Sequence, residues 1–495
     1  ALQRSLQQPG IGPQRCLIPA PVSLPTLQQP EGRAPMRSSD LGTCRGGTGK
    51  MCARRPAGRF DRHCQQTAAP VSLGRAMIPA QQQATLRGAN CEIAFDNLTR
   101  QLYATDASIY QIIPAAVAFP VNTRQVSLLI DAAVMTGLTV TARGAGTGLV
   151  GGALGDGLVI DFSRYQRQIT DLDLERRTVR VGPGVVLDQL NQFLRPYKFC
   201  FGPDVATSSR ATLGGMIANN SSGSHAPVYG TTADHISELE VVLADGRVVL
   251  VGPKHDTLRK QRELVGDLAY FHTLSIAERL PPVLTKRWPG YGIDRCAREP
   301  NNLNHLLCGS EGTLAVITSA ELKIVPVPAQ KGLGLVFFAS AAEAMQATVE
   351  LLDLKPASIE HLDRVLLDQT LGQRPFQAAR DLLELDAKPC QSILAVEFFE
   401  EVDDRLAALA GRRLGLRTTI LKREADARLI RSLRQAGLSL MTGRKGPAKP
   451  TTGIEDVAVR PRDLPAYVSG LQSLLGPLGL QASFYGHAAS GLLHV

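Results

Sequence analysis

Arg143-Gly-Ala-Gly-Thr-Gly-Leu-Val-Gly-Gly152 is the stretch on which the fold turns. Upstream, the largely apolar run Ile112–Phe119 ends at Pro120, as a strand does. Thr123 is a candidate N-cap. Val126, Leu129, Ile130, Ala133 and Val134 then recur at helical spacing until Gly137, a candidate C-cap. Leu138–Ala142 reads as a second strand, so a β-α-β unit leads into the glycines. Gly146 to Gly151 fits G-x-G-x-x-G, the fingerprint of nicotinamide-dinucleotide domains, and Asp161 ends a later strand where a ribose ligand is expected. That fingerprint must open a crossover helix. Only nine residues, four of them glycine, separate Gly148 from Leu158, and no helix fits among them. The spacing predicts instead a loop whose backbone amides point inward and cradle an anion, because glycines let the chain approach a pyrophosphate closely.

Further along, Gly202-Pro-Asp-Val-Ala-Thr-Ser-Ser-Arg-Ala-Thr-Leu-Gly-Gly-Met-Ile-Ala-Asn-Asn-Ser-Ser-Gly223 is dense in glycine and small polar residues. Such a segment is poor core material and suits a backbone wrapped around a large polar ligand. Tyr229-Gly-Thr-Thr232 and Leu307–Thr318 read as two more loops of this kind. Short strands are expected at 157–162, 178–182, 238–243 and 247–251, the last two joined by an Asp245-Gly246 hairpin turn, with a helix over 186–195. After Val325-Pro-Val-Pro, which reads as a linker, strands (Leu333–Phe338, Ile393–Phe399) alternate with helices (Ala341–Leu352, Val402–Leu414), as in a separate α+β unit.

Composition narrows the function. The net charge of +9 sits almost wholly in residues 1–85, where eleven Lys/Arg face three Asp/Glu. The folded part therefore carries no basic face for nucleic acid. No apolar run reaches the roughly 18 residues that span a bilayer. The nine cysteines contain no CxxC pair, which excludes iron–sulfur and paired zinc motifs from the sequence in hand and suits reduced thiols in the cytoplasm. Residues 1–85, rich in Gln, Pro, Gly, Ser and Arg, read as disordered or as a non-native extension, with Met77 a sensible natural start.

Four of these segments, in order, resemble the FAD-linked oxidases of the vanillyl-alcohol oxidase/PCMH family: Arg143-Gly-Ala-Gly-Thr-Gly-Leu, Pro183-Gly184 with Leu187-Asp188, Gly202 to Gly223, and Gly309-Ser-Glu-Gly-Thr-Leu. Within it, Ala104–Pro114, Asn219-Asn-Ser-Ser-Gly-Ser, Tyr229-Gly-Thr-Thr and Ile454-Glu-Asp-Val-Ala-Val are most similar to the bacterial flavin/iron–sulfur D-2-hydroxyacid dehydrogenases of the D-lactate and D-2-hydroxyglutarate type. The resemblance implies an α+β fold. A lead-in at 86–109 precedes a two-subdomain PCMH-type FAD-binding domain over 110–328, and an incomplete C-terminal substrate or cap domain covers 329–495. It implies non-covalent FAD, since Thr147 and no histidine stands in the first loop. Arg143, Gly144, Ala145, Gly146, Thr147, Gly148, Pro203, Asp204, Thr207, Ser208, Gly214, Gly215, Asn219, Asn220, Gly223, Gly230 and Ile317 would line the cofactor. An iron–sulfur cluster would lie only in a further C-terminal part, and the electron acceptor outside this chain. A peripheral position at the inner membrane face is compatible with this class.

At the reacting end, Tyr485-Gly-His-Ala-Ala-Ser-Gly-Leu-Leu-His494 resembles the family's H-x-G-D-G-N-L-H motif, with Ala489, Ser490 and Leu492 departing from it. The resemblance gives His487 and His494 a base or divalent-metal role, and gives Arg434, in Arg434-Gln-Ala-Gly-Leu, the substrate carboxylate. Lys449, Glu455, Asp456 and Tyr291 are weaker candidates, and Trp288 departs from the family pattern. The expected reaction is oxidation of a small D-2-hydroxy acid to the 2-oxo acid. Two alternatives stay open: an FAD-binding fragment without turnover, and a flavin oxidase of the same fold acting on an alcohol, phenol or amine.

Overall fold

The computed structural model describes residues 78–279, 290–444, 446, 450–451, 454 and 457–495. Met77, Trp288, Lys449, Glu455 and Asp456 lie outside the described residues. The helix Ala80–Arg87 starts six residues before the expected boundary at 86, inside the stretch read as disordered. Its sequence is mostly Gln and Ala, but Leu86 and Ile78 are buried and the Gln82 side-chain amide donates to the Thr136 carbonyl, and these contacts hold it.

The first sheet has order β1-β2-β4-β3, from β1 (Glu92–Ala94), β2 (Ala116–Phe119), β3 (Val140–Arg143) and β4 (Leu158–Asp161). β1 is antiparallel to β2, and β4 runs parallel to both β2 and β3. The helix Thr123–Thr136 packs on it through Val126, Leu129, Ile130 and Ala133. Asn122, not Thr123, is the N-cap, its side chain accepting from the Gln125 amide, and Gly137 ends the helix with φ of +65°. The connection from β3 to β4 contains no helix, so the glycine loop is itself the crossover. Asp161 is buried, accepting from the Tyr103 hydroxyl and from Ser163, and anchors this sheet instead of facing a ribose.

Next come β5 (Ile169–Asp173), β6 (Thr178–Val181), the helix Leu187–Leu194, β7 (Phe199–Cys200), β8 (Ile236–Val242), β9 (Val248–Val251) and β10 (Val316–Lys323). Five of them form an antiparallel sheet, order β5-β6-β10-β8-β9, in which Gly246 turns the β8–β9 hairpin with φ of +75°. β10, at its centre, begins inside the stretch expected to be a loop. Val316-Ile-Thr-Ser-Ala-Glu-Leu alternates buried and half-buried positions before the exposed Lys323, the period-2 pattern of a strand, and only its glycine-rich approach is a loop. The expected linker is tied down, since β11 (Val325–Pro326) pairs with β7.

The third sheet has order β15-β12-β14-β13-β16, from β12 (Gly332–Phe338), β13 (Ser358–Asp363), β14 (Ser392–Phe398), β15 (Arg417–Leu421) and β16 (Gly486–His487), all antiparallel. Its three central strands are buried along their whole length because helices cover both faces. Val336, Ile359, Leu394 and Val396 meet the helices Ala341–Leu351, Val402–Gly411 and Leu464–Leu475. Leu335, Phe337, Leu362 and Ile393 meet the helix Glu424–Gln435 on the other face. Gly470 lies exposed within Leu464–Leu475, and an added Cβ there meets nothing within 4 Å. Gly470→Ala should therefore raise the unfolding free energy by about 0.5–1 kcal/mol, read from the denaturant midpoint.

Candidate functional site

A cavity of about 600 Å³ lies among the glycine loops of the first two sheets, a size typical of sites that enclose a cofactor. Of the residues singled out in the sequence, Arg143, Gly144, Ala145, Gly146, Thr147, Gly148, Thr207, Gly214, Gly215, Asn219, Asn220 and Ile317 line it. Gly146 adopts φ of +63°, and Gly144 faces Thr212 so closely that a Cβ would fall 2.1 Å from its Oγ1. That buried Thr212 hydroxyl, at the cavity wall, has no protein partner, as expected of a group reserved for a ligand. Polar backbone, a close-approach glycine and a waiting hydroxyl all fit a dinucleotide.

The other expected cofactor residues have different places. Arg143 lines the cavity, and its guanidinium donates to the Tyr103, Ala153 and Thr105 carbonyls and braces the loop. Ser208 supports a turn, accepting at its carbonyl from the Asp188 amide. Pro203 is buried outside the lining. Gly223 packs against the Asp204 backbone. Gly230, at φ of +69°, abuts the Asp234 carboxylate, which is held by Arg295. Tyr291 is half exposed and shares a hydrogen bond of 2.7 Å with Thr313.

Asp204 lines a second, smaller cavity of about 110 Å³, together with His225, Glu360, Glu397, Arg431, Arg434 and His487. Val205 lines both cavities. Register builds this site. Across β13 and β14, Glu360 pairs with Ala395 and Ser358 with Glu397, so the two glutamates share one face, two positions apart. Across β13 and β16, Glu360 pairs with His487. The helix Glu424–Gln435 lies over that face with Ala427, Ile430 and Leu433 buried, which brings Arg431 and Arg434, one turn apart, down onto separate carboxylates.

Two charge clusters result. In one, Arg434 donates from Nε to Glu360 at 2.5 Å, and His487 Nδ1 lies 2.7 Å from the other Glu360 oxygen. Burial pushes the Glu360 carboxyl up from its usual range, against the pull of Arg434. In the other, His225 lies between Asp204 (Nδ1, 3.1 Å) and Glu397 (Nε2, 2.7 Å), while Arg431 donates twice to Glu397, at 2.7 and 3.1 Å, and twice to Glu424, at 2.8 and 3.5 Å. Burial alone would lower the His225 pKa, but the bonds to Asp204 and Glu397 win and raise it to about 10. Both ring nitrogens therefore donate. Asp204 and Glu397 are held below the ordinary carboxylate range: burial opposes this, and His225 outweighs it.

This pairing makes stability depend on pH. A histidine whose folded pKa is raised contributes fully below its unfolded value of about 6.5, and the contribution is lost as pH rises through about 10. The thermal midpoint of the wild type should fall over that window, and that of His225→Gln should fall less.

His494 sits beside His487, the rings edge to face with centroids 5.8 Å apart, and its other ring neighbour is Tyr485 at 5.2 Å. Two imidazoles make half of a tetrahedral shell. Among the described residues, no three His, Cys, Asp or Glu side chains converge as a metal ion requires, so these residues do not by themselves fit a metal. Sequence reasoning missed His225, Glu360, Glu397 and Arg431. The available signal was a charge inside a strand run, Glu360 in Ser358–Asp363 and Glu397 in Ser392–Phe398, where a buried carboxylate must have a partner.

Residues 114–252 match the family of the FAD binding domain, and residues 327–495 that of the FAD linked oxidases, C-terminal domain. The D-2-hydroxyglutarate dehydrogenase of Pseudomonas putida is 32% identical over 458 residues, 87% of this chain and 45% of that protein. A D-lactate dehydrogenase of Archaeoglobus fulgidus is 28% identical over 76% of this chain and 73% of its own. This chain thus spans about half the length of the curated D-2-hydroxyglutarate dehydrogenases it matches. The solved structure of p-cresol methylhydroxylase superposes with a TM-score of 0.60 at 13% identity, covering 84% of this chain and 81% of that one. No described helix is long and apolar enough to cross a membrane. This chain thus carries the two domains of the FAD-linked oxidases, the FAD binding domain and the C-terminal domain.

Proposed function

We propose that this protein oxidises a D-2-hydroxy acid to the 2-oxo acid with non-covalently held FAD. The observation that carries the reading is the 110 Å³ cavity, where a buried arginine and a carboxylate-bound histidine meet beside the glycine-lined cradle. The names of the relatives, D-2-hydroxyglutarate and D-lactate dehydrogenases, support it. FAD, when bound, supplies the acceptor for the hydride at C2. The amides of residues 144–148 and the Thr212 hydroxyl would hold its polar parts, and Gly214, Gly215, Asn219, Asn220 and Ile317 would line it. Arg434 binds the substrate carboxylate, its guanidinium oriented by Glu360. His487, sharing a proton with Glu360 across 2.7 Å, takes up the proton of the 2-hydroxyl. The electrons leave to an acceptor outside this chain.

The test is anaerobic titration of the purified yellow protein. D-lactate or D-2-hydroxyglutarate should bleach the flavin band, and acid precipitation should release the flavin to the supernatant. No bleaching by any D-2-hydroxy acid would contradict the activity. Flavin that stays with the pellet would contradict non-covalent binding.

A further inference from the structure

The small cavity has two ends, and one of them is already filled by the protein's own carboxylates. At the Arg434 end the cation faces a single acid, Glu360, whose carboxyl is pushed up by burial. At the other end stand two acids, Asp204 and Glu397, with His225 and Arg431. Both cations there are fully engaged: His225 by Asp204 and Glu397, Arg431 by Glu397 and Glu424. Glu397 is 3% exposed and sits where β14 faces the helix Glu424–Gln435, so it cannot swing into solvent.

We propose that Glu397 is a specificity-determining residue, occupying the position a second substrate carboxylate would need, so that the protein takes a small 2-hydroxy monocarboxylate in preference to a 2-hydroxy dicarboxylate. The proposal rests on the site reading above. A dicarboxylate gripped at Arg434 would extend its far carboxylate toward Asp204 and Glu397, two like charges, and no cation among the cavity's lining residues is left unpaired to meet it. A short monocarboxylate leaves that end undisturbed, and a volume of about 110 Å³ suits its size. The remaining walls are apolar (Leu333, Ala395, Ile430) or neutral (Ser224, Ser358, Gln435), so they bring no positive charge to a distal carboxylate.

Calorimetric titration of the FAD-loaded protein with D-lactate and with D-2-hydroxyglutarate, its flavin first reduced with dithionite so that neither acid is oxidised, tests this without turnover. The wild type should bind D-lactate more tightly by about tenfold or more, the cost of one unfavourable charge contact. Glu397→Gln, which releases Arg431 and His225, should shift the ratio of the two dissociation constants toward the dicarboxylate by about tenfold. Asp204→Asn should shift it the same way, and serves if the first variant does not fold. A wild type that binds the dicarboxylate as tightly as D-lactate overturns the proposal, as does a ratio unmoved in a folded, FAD-loaded variant. Flavin bleaching separates the two failures. Bleaching with the ratio reversed overturns only the role of Glu397. Absent bleaching, with the ratio as expected, overturns the proposed oxidation and keeps the role of Glu397 in binding.

Discussion

Arg434→Met is expected to slow reduction of the bound flavin by a D-2-hydroxy acid by about a hundredfold or more, and Arg434→Lys by about tenfold. Arg434 is 9% exposed, its Nε spent on Glu360 and its Cζ 5.4 Å from the centre of the Tyr485 ring. Removing one member of a buried, hydrogen-bonded charge pair costs about 3–5 kcal/mol. Here part of that cost is relieved, because burial already pushes the Glu360 carboxyl up and losing the downward pull of Arg434 makes it easier to protonate. The fold should therefore survive while substrate binding does not. In stopped-flow reduction the concentration for half-maximal rate should rise steeply. Unchanged reduction, with indifference to whether the substrate carries a carboxylate, would favour an alcohol or amine as substrate.

The second large effect is expected at Gly223. A Cβ there would stand 1.4 Å from the Asp204 carbonyl oxygen, so Gly223→Ala must displace the backbone that carries Asp204, and with it the amide and ring bonds of His225. Overpacking against rigid backbone costs about 3 kcal/mol or more. Purified Gly223→Ala should carry far less FAD per chain than the wild type, measured by the ratio of flavin to protein absorbance. Full occupancy in this variant would show that the 202–223 segment does not hold the cofactor.

The cradle was legible because it is local. Consecutive glycines after a β-α-β unit have few uses, and the gap between Gly148 and Leu158 ruled out the competing helix; the loop from β3 to β4 has none. The subgroup motifs likewise pointed to Arg434 and His487, which the fold brings together on Glu360. The partners that make these residues chemical were not legible. Glu360 lies 127 positions from His487, and His225 lies 172 from Glu397, so only strand register and the descent of one helix onto the sheet join them. β13 was missed for a related reason: Glu360, His361 and Asp363 disguise a wholly buried strand as a polar one. β10 was hidden by the glycine loop that leads into it.

The most direct measurement of the central claim is a single turnover without oxygen. One equivalent of D-lactate, mixed with FAD-loaded protein, should bleach the flavin and yield one 2-oxo acid per FAD reduced, with His487→Ala much slower at both. Bleaching without the 2-oxo acid, or the 2-oxo acid formed while the flavin stays oxidised, would contradict the account.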